Sequence, residues 1–265
     1  MGTWKIEKVG KVPKLKDPVL IEGLPGIGNV GKIAVDFLID ELKAKKIFKF
    51  FSHTFPHSVF VNEKNLVELP SIEMYYAHLK GKKNDLILLA GDVQPIDEVS
   101  CYEFSEAVID NVSCLGAKEI VALGGIGLQE IPKKPKVYCT GNSKSLIKRF
   151  KKGTELDNNL YGVVGPIIGA SGLLLGLSGK KKIEAIALLA ETFGHPMYLG
   201  VKGAREILKI LNKQFSLKIN LKELDSEITK IETEVLKRTE DLSEVSKKTA
   251  LSKLKHNIFE TSYIG

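Results

Sequence analysis

Cysteine is scarce in this 265-residue chain: Cys101, Cys114 and Cys139 are scattered, odd in number, and form no C-x-x-C pair. That argues against a disulfide framework and against a structural zinc site, and it fits a reducing cytosol, so a cytoplasmic protein is expected. No apolar run reaches the length a bilayer span needs, and the opening MGTWKIEKVGK lacks the apolar core of a secretory signal. No membrane partner is expected. Methionine and glutamine are also few, at three each, amid abundant Lys, Glu and Ile, a balance mildly reminiscent of thermophiles. The one excess is of positive charge, with a formal net charge of +7. Its lysines fall in pairs and runs at turns (Lys45-Lys46, Lys82-Lys83, Lys133-Lys134, Lys151-Lys152, Lys180–Lys182), and no basic helix interleaved with aromatics occurs. A solvated surface is therefore expected, without a nucleic-acid partner.

What is present is a globular pattern of alternating strands and helices. PVLIE (18–22), EIVALGG (119–125) and IEAIALLAET (183–192) are continuously apolar, as strands covered on both faces are. IFKFFSH (47–53) and KVYCTG (136–141) add further strands, the latter followed by a short helix. Residues 59–69 read as two strands around an Asn62–Asn65 turn, and IEMYYAHL–GKKN–DLILLAG repeats that form. Helical spacing recurs over 26–43, with Val30, Ile33, Ala34, Phe37, Leu38 and Leu42 on one face, and over 97–115 and 201–215. In IIGASGLLLGLS, small residues allow a helix to approach other backbone closely. Together these predict a three-layer α/β sandwich with a mostly parallel or mixed sheet over residues 1–215.

Beyond Ser216 the composition changes. Residues 221–258 contain no Gly or Pro. Leu221, Leu224, Ile228, Ile231 and Val235 follow 3-4 spacing and Leu242 continues the stripe, with Arg238 interrupting the register. A coiled-coil-like helical extension over 216–265 is expected, its stripe covered by other copies of the chain in a closed ring, with packing on its own domain as the alternative.

The glycine turn EGLPGIGNVGK raises a sharper question, since Gly26, Gly28 and Gly31 spell G-x-G-x-x-G and Gly31-Lys32 nearly completes a phosphate-binding loop. A dinucleotide site also needs an acidic ribose anchor about 20 residues on, and no Asp or Glu occurs between Glu41 and Glu63. A phosphate loop needs Ser or Thr after the lysine to hold magnesium, and Ile33 stands there. The favoured reading is structural: Gly26 and Gly28 make the turn, Asn29 caps the helix, and Gly31 lets helix and strand pack closely. A nucleotide- or nucleoside-binding enzyme using Gly26, Gly28, Gly31 and Lys32 is the alternative.

Other constellations are weaker. Asp92 follows an apolar strand. Ser171 and Ser178 do not fit the G-x-S-x-G nucleophile elbow. His53 and His57 have Pro56 between them, which spoils a helical metal pair. Glu191 and His195 follow or end a strand, where α/β proteins place ligands. None pairs into an acid and a base, so no catalysis, cofactor or metal is expected.

EGLPGIGNVGKIAVDFLI, LLAGDVQP, ALGGIG, GPIIGASGLLL and LLAETFGHP occur in this order. In that succession the chain resembles the archaeal homologues of the second proteasome assembly chaperone, the Pba-type proteins, over about residues 15–215 and a helical tail. The resemblance implies an α/β fold related to nucleoside phosphorylases, no established catalysis, and binding to proteasome α-subunits or another protein. It also implies a C-terminal hydrophobic–Tyr–any tripeptide that inserts between α-subunits. Here Tyr263 precedes Ile264 and Gly265 and is third from the end, which departs from that pattern. A scaffold for a non-proteasomal partner is the remaining alternative.

Overall fold

The computed structural model describes residues 4–157, 165–222, 224–226 and 228. In chain order the elements are β1 (Trp4–Lys8), β2 (Val19–Gly23), α1 (Val30–Glu41), β3 (Lys45–Ser52), β4 (Phe60–Val61), β5 (Val67–Glu68), β6 (Ile72–Ala77) and β7 (Leu86–Gly91). There follow α2 (Glu98–Cys114), β8 (Glu119–Leu128), β9 (Val137–Gly141), α3 (Lys144–Lys151), β10 (Leu156–Asp157), α4 (Ala170–Ser178), β11 (Glu184–Phe193) and α5 (Val201–Phe215).

Nine strands form one mixed sheet in the order β1-β3-β6-β7-β2-β8-β11-β9-β10. The centre, β7-β2-β8-β11, is parallel. β1, β3 and β6 are joined to it antiparallel, as β9 is on the other side. Every residue of β2 and β7 is buried, because helices cover both faces. On one face α2 packs against α4, and their side chains join Leu20, Ile87, Leu89, Ile120 and Ala187 in a continuous core. On the other, α1 packs against α5, and α3 joins α5 through a Phe150–Phe215 edge contact. The expected three-layer α/β sandwich is thus present, with β4 and β5 standing apart as a separate two-stranded hairpin.

Local chemistry explains the helix starts. Asp97 accepts the Ser100 N–H at 2.9 Å to cap α2, and Ser143 accepts the Leu146 N–H at 3.2 Å to cap α3. Asn29 does not behave as expected. It stands at the N-cap position of α1, but with φ 50° its side chain makes no capping hydrogen bond. The buried stripe of α1 is Val30, Ala34, Val35 and Leu38, with Ile33, Phe37 and Leu42 only half-buried.

Two strands have no counterpart in the sequence reading, β10 and β1. β1 carries only a short W-K-I-E alternation; it is an edge strand held by Trp4, whose ring packs 5.3 Å from Phe55 and 4.7 Å from Phe104. The backbone divides into two units between Leu221 and Lys222, where the sequence reading draws its boundary at 215/216.

Candidate functional site

The parallel strands β2, β7, β8 and β11 all end at one pole of the sheet, and α1, α2, α4 and α5 all begin there. The glycine turn is part of this pole. Gly28 has φ 61°, a left-handed conformation that favours glycine, and its carbonyl accepts the Gly200 N–H at 2.7 Å. A Cβ on Gly31 would lie 2.4 Å from the Leu123 carbonyl oxygen, so α1 meets β8 at a distance only glycine permits. The Lys32 ammonium is 2.9 Å from the Asp36 carboxylate, one turn further along α1.

A cleft of about 470 Å³ opens between the starts of α1 and α4, above the ends of β2 and β8. Gly26, Gly31, Gln94, Ile126, Ile168 and Ser171 are among its walls, and Lys32 is not. Its described lining carries no charged side chain. Beneath Ser171 lies Glu22, fully buried. The Ser171 hydroxyl donates to Glu22 Oε2 at 2.9 Å, and the Leu24 N–H donates to Oε1 at 3.0 Å. Burial disfavours the carboxylate and raises the Glu22 pKa to about 7, against the lowering effect of those two donors. The sequence reading did not single out Glu22. Its signal was there, a lone acid inside the apolar run PVLIEGL.

The other acids and histidines are dispersed. Asp92 accepts the Ser71 N–H at 3.0 Å and closes a turn. Glu191 accepts the Lys136 N–H at 2.9 Å and the Tyr138 hydroxyl at 3.0 Å, joining β11 to β9. Ser178 is buried and donates to the Leu175 carbonyl. His195 stacks on Phe193 and accepts the Met197 N–H. No group of three or more His, Cys, Asp or Glu able to hold a metal occurs among the described residues.

The apolar surface is concentrated instead. Of sixteen large apolar side chains exposed among the described residues, fourteen lie at this pole. They include Ile27, Ile96, Ile168 and Met197 around the cleft, and Val59, Phe60, Val61, Leu66, Val67 and Leu69 on the β4–β5 hairpin. The lysine groups at 45–46, 82–83 and 180–182 sit at the opposite pole. Of the extension stripe, Leu221 and Ile228 are half-buried and Leu224 is buried. Ile231, Val235 and Leu242 lie outside the described residues, as do Tyr263, Ile264 and Gly265.

The sequence profile of the PAC2 family matches residues 20–238. The chain belongs to the PAC2 family. Pyrococcus furiosus PbaB, an archaeal proteasome activator, is 33% identical, with a TM-score of 0.82 over 91% of this chain and 100% of that one. Pyrococcus furiosus PbaA, an archaeal homologue of proteasome-assembly chaperone, is 25% identical, with a TM-score of 0.71 over 98% of this chain and 99% of the other. An uncharacterised Methanocaldococcus jannaschii protein is 31% identical over 240 residues, 87% of this chain and 90% of the relative. The resemblance to Pba-type proteins expected from the motif order is borne out, and this PAC2 chain shares their fold. Three of the motifs that carried it, EGLPGIGNVGKIAVDFLI, ALGGIG and GPIIGASGLLL, supply most of the cleft walls.

Proposed function

We propose that this PAC2 protein is a non-enzymatic, homo-oligomeric, cytoplasmic factor that binds proteasome α-subunits. The observation that carries the reading is the gathering of exposed apolar side chains at one pole of a basic, otherwise solvated surface. Large exposed apolar patches serve protein contacts. The partner is taken from PbaB and PbaA, which are a proteasome activator and an assembly-chaperone homologue. The apolar 3-4 spacing in the sequence from Ile228 through Ile231 and Val235 to Leu242 supports the oligomer, since such a pattern ordinarily marks a seam covered by another helix.

The rival reading, a nucleotide enzyme at Gly26–Lys32, is less well supported. The described cleft lining offers no cation to phosphate oxygens, and Lys32 is engaged with Asp36. Native mass spectrometry with archaeal proteasome α-subunits tests the proposal. A complex of defined stoichiometry at micromolar concentration is expected, and its absence refutes the proteasomal partner. In a thermal-shift series with ATP, NAD and nucleosides no stabilisation is expected, whereas a ligand at about 100 times its Kd would add roughly 2.7 kcal/mol.

A further inference from the structure

We propose that the β4–β5 hairpin of one copy docks on a second copy of the chain, in the hollow at the hairpin's own base and along the free edge of β1. This rests on the homo-oligomer of the reading above and names the surface that builds it.

The hairpin is a two-stranded sheet of its own, paired Phe60 to Glu68 and Val61 to Val67. Such a ribbon is marginal in water unless another surface covers it. Its own body does not: Phe60 is 45% exposed, Val61 66% and Val67 69%. Apolar side chains occupy both of its faces, which alternate along each strand. A solvated hairpin has no use for that pattern.

A matching surface stands beside it. A hollow of about 370 Å³ is walled by Phe51, Phe55, Pro56 and Leu69, with His53 and His57 at its side. It runs directly into β1, because Lys5 is paired opposite Phe51 and the Trp4 ring touches Phe55. β1 is the first strand of the nine-stranded sheet and has no neighbour on its outer side among the described residues. Ile6 and Val9, the two described exposed large apolar side chains that do not lie at the apolar pole, are on or beside it.

Charge selects the occupant. The stretch from Trp4 to Lys14 carries four exposed lysines, Lys5, Lys8, Lys11 and Lys14, against Glu7. The hairpin carries Glu63 and Glu68 against Lys64. Lysines on a free edge guard it against indiscriminate strand pairing. An acidic, apolar ribbon is the kind of strand they admit, and this chain supplies one. The hollow shares Val59 and Leu69 with the hairpin's base, but the paired strands of the hairpin and the β1 edge are different patches, so the contact between them is heterologous, and it forms a ring where its rotation closes.

The test uses the full-length chain and its subunit count by native mass spectrometry and light scattering at 1–50 μM, with circular dichroism melts as the folding control. The wild type is expected at an integral multiple of the 29.2 kDa protomer. Glu63→Lys with Glu68→Lys, and separately Lys5→Glu with Lys8→Glu, should each weaken assembly at least tenfold while the melts stay cooperative. The quadruple variant reverses both partners together and should recover assembly. A monomeric wild type, unchanged assembly in both double variants, or a quadruple variant no better than the doubles overturns the proposal. The same variants are assayed for α-subunit binding. A hairpin variant that stays oligomeric but loses α-subunits would give the hairpin to that partner and overturn this inference, leaving the proposed function intact.

Discussion

Replacing Glu22 with glutamine should stabilise the protein at pH 8 and change it little below pH 4. Glu22 is fully buried and titrates near 7 in the fold, against 4.5 for an unperturbed glutamate. Because the folded pKa is raised, the folded state holds a proton that the unfolded chain releases between pH 4.5 and 7. The protonated acid therefore stabilises the fold fully below pH 4.5, and that advantage is lost as pH rises through 7. A displacement of 7 − 4.5 units at 1.36 kcal/mol per unit costs about 3 kcal/mol at pH 8, of which about 2.5 kcal/mol develops between pH 5 and pH 8. Glutamine keeps an oxygen for the Leu24 N–H, and the Ser171 hydroxyl can rotate to accept from the new amide. Urea unfolding of wild type and Glu22→Gln at pH 5 and pH 8 is the assay. The gap between the two proteins should widen by about 2.5 kcal/mol, or roughly 5–10 °C in melting temperature. Parallel pH profiles for the two proteins would refute the reasoning and show Glu22 ionised throughout.

Gly31→Ala should destabilise by about 1–3 kcal/mol in the same unfolding assay, since its methyl would meet the Leu123 carbonyl at 2.4 Å. Lys32→Ala should cost no more than about 1 kcal/mol, because it removes only a half-buried i,i+4 pair with Asp36 at the surface of α1. Thr192→Val should raise stability by about 1 kcal/mol in thermal melts, because the buried Thr192 hydroxyl has no hydrogen-bond partner among the described residues and valine has nearly its shape. Asp97→Ala should cost about 1 kcal/mol by removing the α2 cap, measurable as a lower urea midpoint at unchanged slope.

Much of the fold was legible without coordinates. PVLIE, EIVALGG and IEAIALLAET are apolar throughout because the strands they form are covered on both faces, and a buried parallel strand has no polar side to show. The helix over 201–215 and both hairpin patterns were readable from periodicity and turn residues for the same local reason. β1 was not read, because its W-K-I-E alternation is too short to stand out and an edge strand is held chiefly by its neighbour's ladder and one anchoring tryptophan. Asn29 carried a capping signal that the turn overrode, since a left-handed backbone turns its side chain away from the helix N–H groups.

The candidate site divides along the same line. Composition and motif spacing alone argued against a nucleotide at Gly26–Lys32, because the ribose acid and the magnesium hydroxyl are missing at fixed offsets along the chain. Only the tertiary structure placed Ser171 over Glu22, 149 residues apart, and so turned an ordinary glutamate into a buried acid. It alone gathered fourteen of the described exposed apolar side chains, from the β4–β5 hairpin, the start of α2 and separate loops, to one pole, because parallel strands end together and the segments that follow them meet there. Side-chain type is written locally, but exposure is a property of the assembled surface, which depends on what the rest of the chain leaves uncovered.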